Sequence, residues 1–453
     1  MTMTDLPQPI TAVGHDVVIT LYKRGADHYT KTRHPLHFGV FHELRTPEAT
    51  LHFNMNQEIV RAQGHFDDWP SELEWLKRTR GNDWVYYSTG GYAGTYETIG
   101  ENILSAPISF RIPTPYNEVV KATGEYYLPN VTYPSNAVLG TNPFANGAVE
   151  RLLADWPKIV ADVLDTATDI PSSCRAFLQQ VKKTGPDALQ ARADQFLRLA
   201  GGRVSVLPPD ARHVDYNILP LTVADGCRYK CRFCSIKNRK VFAPRSEETI
   251  HGQLIALREF CGSDLVNTNA VFFGEHDALS ASGDLLLNAG NAVRETLQLD
   301  TSYMNGWNLF LFGSVDGLLE ATDFFFNRLN MLGARVYINI GFESADQETL
   351  DAIGKPLRES QVAEAFARML DINARYTNLE ITGNFLMDEQ LPAGHYPSFL
   401  RLVRDGISAP KGKGTVYLSP LMNSAPSQKM LFTFNQLKTL SRLPTYLYLI
   451  QRL

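Results

Sequence analysis

The second half of the chain alternates short apolar runs with amphipathic helical patterns. Apolar runs of a few residues are typical of strands buried in a parallel sheet, and apolar positions spaced near 3.6 residues indicate helices. Six strands are predicted, at 218–223, 270–273, 309–312, 336–340, 379–386 and 416–418. Helical patterns follow them near 246–260, 283–298, 317–332, 358–374, 395–405 and 434–442. This order predicts an α/β fold of the partial (β/α)6 TIM-like barrel type.

The first half has a different pattern. Segments 36–44 and 51–60 alternate apolar and polar residues on either side of a turn-like sequence at 46–48, which predicts an antiparallel β-hairpin. A short helix is predicted near 70–78, followed by an aromatic and glycine-rich segment. Helical spacing then recurs at 149–167, 174–183 and 186–200.

Helix-breaking residues mark a junction between the two halves. The glycine pair at 201–202 favours the end of a helix, and the proline pair at 208–209 cannot continue one. We therefore predict an α+β accessory domain at 1–207, preceding a core domain at 208–453.

Composition and charge exclude several classes of protein. The 453 residues are 44% hydrophobic and 11% aromatic, which suits a globular protein and excludes a disordered or fibrous one. Lys and Arg number 43 against 48 Asp and Glu, so no overall basic field exists to hold nucleic acid or an anionic membrane. The sequence has neither a signal-peptide pattern nor an apolar run long enough for a membrane helix. We therefore expect a cytoplasmic protein with no membrane or nucleic-acid partner.

Three of the five cysteines lie close together, directly after the first predicted strand. Cys227, Cys231 and Cys234 have the spacing C-x3-C-x2-C. Three thiolates on one loop can converge on a metal centre, and soft sulfur favours an iron–sulfur cluster or zinc over magnesium or calcium. Three cysteines, rather than the usual four, would leave one iron of a 4Fe–4S cluster without a protein sulfur. Such an open coordination position is where chemistry could occur.

The loop, with Phe233 directly before its last cysteine, resembles the signature of the radical S-adenosylmethionine (radical SAM) superfamily. The resemblance implies that Cys227, Cys231 and Cys234 hold a 4Fe–4S cluster and that Phe233 lies in the cofactor site. It implies that the amine and carboxylate of SAM chelate the fourth iron. One-electron reduction would then cleave SAM to methionine and a 5'-deoxyadenosyl radical, which abstracts hydrogen from a substrate. The similarity covers about 210–425 and does not extend into 1–207.

Two further strand ends resemble SAM-binding segments of the family. Phe273-Gly274-Glu275 is similar to a glycine-rich turn ending in an acid, which implies that its backbone and Glu275 receive the SAM amino group. Glu343 and Ser344 begin a segment, continuing to 355, that resembles the elongator-type and methylthiotransferase-type branch. The resemblance implies that both face SAM.

The fifth predicted strand looks like a worn version of the Gly-x-Pro-x-Glu segment of that branch, which implies that Asn384 lies near the adenosyl group. Taken singly, strand-end Gly, Glu and Ser residues are common in turns and helix caps. Together they lie at the carboxyl ends of predicted strands, the face where β/α barrels place active sites.

Six basic residues and no acids lie between Cys227 and position 240. Cations there would favour the reduced form of an anionic cluster and the carboxylate of SAM. The same charge could dock an acidic reductant such as flavodoxin or ferredoxin, the alternative being a solvated basic loop. The six are Arg228, Lys230, Arg232, Lys237, Arg239 and Lys240.

The remaining cysteines and the clustered histidines receive structural interpretations. Cys174 and Cys261 each lie on an apolar helix face and are interpreted as buried small hydrophobes, the alternative being a hydrogen-atom donor. Two isolated cysteines cannot hold a second cluster, so we expect a single one. His42 and His52 could approach each other across the predicted hairpin and bind a metal, but we interpret them as polar residues of its face.

The leading hypothesis is a radical SAM enzyme, either an oxidoreductase or a transferase, acting on a small-molecule or natural-product substrate. An RNA substrate would bring a basic appended domain, and cobalamin would bring an Asp-x-His-x-x-Gly segment, and the sequence contains neither. One alternative is a non-enzymatic binding protein stabilised by zinc, with His213 or His251 as the fourth ligand. The other is a radical SAM enzyme that modifies tRNA.

Overall fold

The computed structural model describes most of the chain. The residues described are 6–14, 16–28, 38–69, 85–86, 91–99, 119–127, 147–201, 208–214, 218–234, 241–421 and 428–448. The helix predicted near 70–78 lies outside them. No helix in these ranges is long and apolar enough to cross a membrane.

The first sheet is antiparallel, and its six strands pair in chain order. The hairpin predicted around 46–48 is present, with Leu44 opposite Leu51. Both residues face a hydrophobic core, because alternate residues of a strand point to the same side. The strands are β1 (Ile10–Val13), β2 (Val18–Arg24), β3 (Val40–Arg45), β4 (Ala49–Phe53), β5 (Ile59–Gly64) and β6 (Val85–Tyr86).

Three helices follow, within two residues of the predicted bounds. They are α1 (Gly147–Thr166), α2 (Ser172–Lys183) and α3 (Pro186–Ala200). The first two cover the apolar face of the first sheet, where Phe53 makes edge contacts with Trp156 and Phe177. The first half therefore has a hydrophobic core of its own.

The second sheet contains seven parallel strands in a row. Six are the predicted ones. The seventh, at 445–448, was not predicted; it follows the last predicted helix. In chain order the parallel strands are β9 (Leu219–Thr222), β12 (Ala270–Gly274), β13 (Asn308–Gly313), β14 (Arg335–Glu343), β15 (Leu379–Met387), β16 (Val416–Pro420) and β17 (Thr445–Tyr448).

Two strands of the first half extend this sheet. They are β7 (Gly91–Ile99) and β8 (Val119–Tyr127), an antiparallel pair whose second member pairs in parallel with β17. A separate two-stranded ribbon, β10 (Ala224–Asp225) with β11 (Ala243–Pro244), brackets the cysteine loop. The mixed α/β class is thus present, and strands from both halves contribute to the larger sheet.

The helices of the second half pack against one face of the second sheet. The region predicted as one helix at 317–332 forms two, because Ser314 and Thr322 each cap a helix N-terminus with a side-chain oxygen. The helix predicted at 395–405 continues as a π-helical turn after Leu400. The helices are α4 (Glu247–Cys261), α5 (Gly283–Leu297), α6 (Val315–Glu320), α7 (Asp323–Asn330), α8 (Gln347–Ile353), α9 (Glu359–Arg375), α10 (His395–Leu400) and α11 (Gln428–Leu440).

A buried polar cluster joins the first sheet to the segment after α4. Asp264 Oδ1 accepts hydrogen bonds from the Met55 N–H at 3.1 Å and from Asn267 Nδ2 at 2.8 Å. Asn267 also bonds both backbone groups of Val40. A carboxylate in this apolar setting is costly unless it is neutral or paired.

Burial raises the pKa of Asp264 to about 7. The folded state therefore holds a proton that the unfolded chain releases above the ordinary pKa of 3.8, so the free energy of unfolding falls as pH rises through this range. Asp264→Asn keeps the accepting oxygen without the charge. We expect the stability of this variant relative to the parent to rise between pH 5 and pH 8, by up to about 3 kcal/mol.

Thermal melts at the two pH values measure this effect. Asp187→Asn, at an exposed site near the start of α3, is the matched control. An equal difference in Tm between Asp264→Asn and the parent at both pH values would contradict the assignment.

Candidate metal centre and cofactor site

The cysteine loop leaves β10 and docks on the end of α8. The Arg232 N–H donates to the Ile353 carbonyl at 3.0 Å, and the Arg232 guanidinium donates to the Asp351 carbonyl at 2.6 Å. Gly354 allows Arg232 to approach closely because it has no side chain: its φ is +67°, and an added Cβ would lie 2.6 Å from Arg232 Nε. A helix end leaves carbonyls unpaired, so the loop supplies donors that α8 requires.

A buried carboxylate holds the other side of the loop. Asp277 is 1% exposed, and its Oδ1 accepts from the Ser314 N–H at 2.8 Å. Its Oδ2 accepts from the Ser280 hydroxyl at 2.8 Å and from the Arg228 N–H at 3.4 Å. Asp277 thereby ties the loop to the segments that follow β12 and β13. Sequence reasoning missed this residue, although it lies two positions after Glu275 in a segment already singled out.

The three loop cysteines are all partly buried. Burial, and then the nearby Asp277 carboxylate, raise the pKa of Cys227 to about 11. Burial also raises the pKa of Cys231. Because the thiolate is the metal ligand, metal binding here must displace protons. Cys227 Sγ also accepts a hydrogen bond from the Tyr229 N–H at 3.4 Å, which favours the thiolate.

Within the described ranges, no three His, Cys, Asp or Glu side chains converge on a point where one metal ion could bind. A 4Fe–4S cluster differs in its demands, because each cysteine binds a different iron. The chemistry of the donor set, three soft thiols on one loop, fits such a cluster.

A buried lysine and a glutamate lie beside the cysteines. Lys355 Nζ donates to the Gly341 carbonyl at 2.5 Å and lies 3.3 Å from Glu343 Oε1. Glu343 has a φ of +66°, which residues other than glycine seldom adopt, and it follows a bulge in β14. Gly341 leaves room for this pair, since an added Cβ would lie 2.7 Å from Glu343 Oε1 and 3.3 Å from Lys355 Nζ, and the two side chains would have to shift. Such backbone strain in a non-glycine residue is typical of functional sites.

Lys355 connects this pair to the cysteines. Its charge lowers the pKa of both Cys227 and Cys231, although burial outweighs it for each. Its ammonium also lies 5.2 Å from the centre of the Tyr229 ring. Lysine is seldom buried without anionic partners. Lys355 ends the segment that resembles the family, but its role could not be predicted from the sequence, because its burial depends on how the loop and β14 pack together.

Ser344 is fully buried and held by a histidine. Its hydroxyl lies 2.9 Å from His395 Nδ1 and accepts the Asp346 N–H at 3.1 Å. His395 Nε2 lies 2.9 Å from the Leu386 carbonyl, so Nε2 carries the proton, Nδ1 accepts, and the Ser344 hydroxyl donates. The Ser344 hydroxyl thus fixes the segment between β14 and α8. Its contact with SAM stays a prediction.

The other residues predicted to bind the cofactor lie at the end of β12 and in the cysteine loop. Phe273 is buried in the hydrophobic core, so only its backbone is available at the strand end. Gly274 ends β12 opposite Thr222, and the partly buried Glu275 follows it. Phe233 is partly buried within the cysteine loop. Their roles in binding SAM stay predictions.

Asn384 lies on β15 between Gly341 of β14 and Tyr417 of β16. Its Nδ2 donates to Asn339 Oδ1 at 2.7 Å. Its Oδ1 is buried, and within the described part of the chain no donor reaches it. An acceptor without a partner therefore lies next to the strand position that binds Lys355.

Other sequence candidates lie elsewhere. Cys174 belongs to the core of the first half, and burial raises the pKa of Cys261 to about 12, so neither is a reactive thiolate.

The proposed approach of His42 and His52 is wrong. The register pairs His42 with Phe53 and His52 with Glu43, which puts the two histidines on opposite faces of the sheet.

Two of the three basic residues that the structure describes in the cysteine loop bind other groups of the protein. Arg228 forms an ion pair with Glu320 at 2.7 Å, and Arg232 binds α8 as described above. Lys230 is exposed. Lys237, Arg239 and Lys240 lie outside the described residues.

No protein-family model and no curated protein matches the chain. Solved structures similar to it include radical SAM enzymes. The cobalamin-dependent S-adenosylmethionine radical enzyme OxsB is 19% identical over 42% of this chain, with a TM-score of 0.31. The match covers 26% of OxsB, so the chain spans about a quarter of that protein's length.

Two more structures are similar over longer stretches. Methylornithine synthase (PylB) is 12% identical over 64% of this chain and 77% of its own, with a TM-score of 0.33. Streptococcus suis SuiB is 11% identical over 67% of this chain and 63% of its own, with a TM-score of 0.34.

Proposed function

We propose that the chain is a radical SAM enzyme that holds a 4Fe–4S cluster with Cys227, Cys231 and Cys234. The observation that carries the proposal is the C-x3-C-x2-C loop, docked between α8 and Asp277 so that its thiols lie beside Lys355. When bound, the reduced cluster supplies the electron that cleaves SAM to methionine and a 5'-deoxyadenosyl radical. The seven-stranded sheet would then be the curved wall of a partial TIM-like barrel.

The charged side chains around the loop suit the amino-acid end of SAM. A carboxylate needs a cation, and Lys355 is a buried one whose carboxyl partner, at 3.3 Å, is weakly held. An ammonium needs acceptors, which Glu343 and Glu275 supply. Lys355 would also stabilise negative charge on the thiolates, because opposite charges attract strongly where water is excluded.

The proposed substrate is a small molecule, since the net charge of −5 gives no general attraction for RNA. Cleavage needs an electron from outside the chain. We include an acidic one-electron donor such as flavodoxin or ferredoxin, for which the basic residues of the cysteine loop would provide complementary charge.

Anaerobic reconstitution with iron and sulfide tests the proposal on the whole chain. We expect about four irons and four sulfides per chain, and an electron paramagnetic resonance signal after dithionite that changes on adding SAM. Incubation with SAM and dithionite should release 5'-deoxyadenosine and methionine in equal amounts. Purified protein with one zinc, no sulfide and no SAM cleavage would instead support the zinc-stabilised binding protein.

A further inference from the structure

A row of hydrogen-bonded side chains crosses the face of the second sheet opposite the helices. We call this the polar face; it carries Asn339 of β14, Thr382 and Asn384 of β15, and Tyr417 of β16. The 3-10 turn Pro209–His213 packs against it and contributes Asp210. Apart from Asn384, which is partly exposed, these side chains have no exposed surface.

The carboxylate of Asp210 sets the direction of the hydrogen bonds, because a carboxylate only accepts. Its Oδ1 accepts from the Tyr417 hydroxyl at 2.7 Å, and its Oδ2 accepts from the Thr382 hydroxyl at 2.7 Å. Because the Thr382 hydroxyl donates its only proton to Asp210, its oxygen can only accept further hydrogen bonds. It accepts one from Asn339 Nδ2 at 2.8 Å.

The direction of these hydrogen bonds also fixes the orientation of the Asn384 amide. Once Asn339 Nδ2 is used, its Oδ1 is the end that faces Asn384, and it accepts from Asn384 Nδ2 at 2.7 Å. Asn384 therefore has to present Oδ1, and not its amide nitrogen, at the free end of the row. The opposite orientation has the same shape but would leave Asp210 without the Thr382 hydrogen bond.

The free end lies at the candidate cofactor site. Asn384 is in register with Gly341, whose carbonyl binds Lys355, and the next partner along β14 is Glu343. A buried acceptor without a donor has lost the hydrogen bonds it would make to water. A ligand that supplies a donor at this position would restore one of them.

We propose that the relay Asp210–Thr382–Asn339–Asn384 fixes the Asn384 amide so that its Oδ1 accepts a hydrogen bond from the adenosyl group of SAM. The donor is a ribose hydroxyl or the exocyclic adenine amine. The inference rests on the proposed function and adds a rule of selection: the bound group must donate at this position. Asp210 is then a positioning residue that acts through two intervening side chains.

Binding of SAM to the reconstituted protein, measured by equilibrium dialysis, tests the relay. Thr382→Val interrupts it, and Asn384→Leu removes the acceptor. Each is expected to weaken SAM binding about 3- to 10-fold, the effect of one hydrogen bond. Tyr417→Phe is the matched control, because it removes the other hydroxyl bound to Asp210 and leaves the relay direction unchanged. It should bind SAM as the parent does.

SAM analogues identify the donor and separate this role from a structural one. The probes are 2'-deoxy-SAM, 3'-deoxy-SAM and N6,N6-dimethyl-SAM. One of them should bind the parent more weakly than SAM but bind Asn384→Leu as SAM does, because the two changes remove the same hydrogen bond. Iron and sulfide content should be unchanged in Asn384→Leu, which tests the acceptor even if Thr382→Val does not fold.

The outcomes distinguish the relay from the proposed function. If the parent binds SAM and both relay variants bind it equally well, the relay is wrong and the proposed function stands. Analogue losses of equal size in the parent and in Asn384→Leu would also overturn the relay. A reconstituted parent that does not bind SAM would overturn both.

Discussion

Replacing Cys231 with serine is expected to abolish release of 5'-deoxyadenosine from SAM. The thiol is one of only three in the loop, and a hard hydroxyl oxygen is a poor ligand for the soft iron–sulfur centre. Changes outside a ligand set already lower metal affinity roughly 10- to 100-fold, so loss of a ligand should exceed this range. Iron and sulfide analysis should show a depleted cluster, and chromatography should show no 5'-deoxyadenosine above background.

Cys261→Ala is the matched control for this change. Cys261 is a buried thiol at the end of α4, so it is not part of the cysteine loop. The substitution leaves a small cavity that lowers stability modestly, while the cluster and SAM cleavage should be retained. Full SAM cleavage by Cys231→Ser, or equal loss of the cluster in both variants, would contradict the assignment of ligands.

The second large effect is expected for Lys355→Met, which keeps the length of the side chain and removes its charge. Without the ammonium, the partly buried Glu343 carboxylate loses the cation that pairs with it, and the SAM carboxylate loses its proposed partner. Truncating one partner of a buried charge pair costs about 2–5 kcal/mol, so SAM should bind roughly a hundredfold more weakly. The reduction potential of the cluster should also become more negative, since a nearby cation favours the reduced state.

Lys413→Met provides the control for loss of a lysine charge. Lys413 Nζ donates to the carbonyls of Tyr376, Thr377 and Leu379 after α9, so this variant should lower stability without changing SAM affinity or the potential. Equilibrium dialysis and a redox titration measure the two quantities. If Lys355→Met retains its cluster with the affinity and potential of the parent, Lys355 has no role in the site.

Sequence periodicity predicted most of the second half correctly. Strands β12, β13 and β15 lie within one residue of their predicted bounds, because buried parallel strands are short, apolar and separated by helices. β17 was not predicted, although it is as long as β9, which was predicted. The break between α6 and α7 depends on the capping hydroxyl of Thr322, a local signal that the apolar spacing conceals.

The candidate site, too, was predicted only in part from the sequence. The cysteine spacing is local, so the sequence alone determined which three thiols can share a centre and which strand precedes them. Only the tertiary structure decided that Lys355 and Asp277 lie against that loop, and that Asp210 reaches Tyr417 from 207 positions away. It also decided that His42 and His52 lie on opposite faces. The physical reason is that register and packing set the partners of buried polar groups, and these depend on contacts between distant segments that no short pattern encodes.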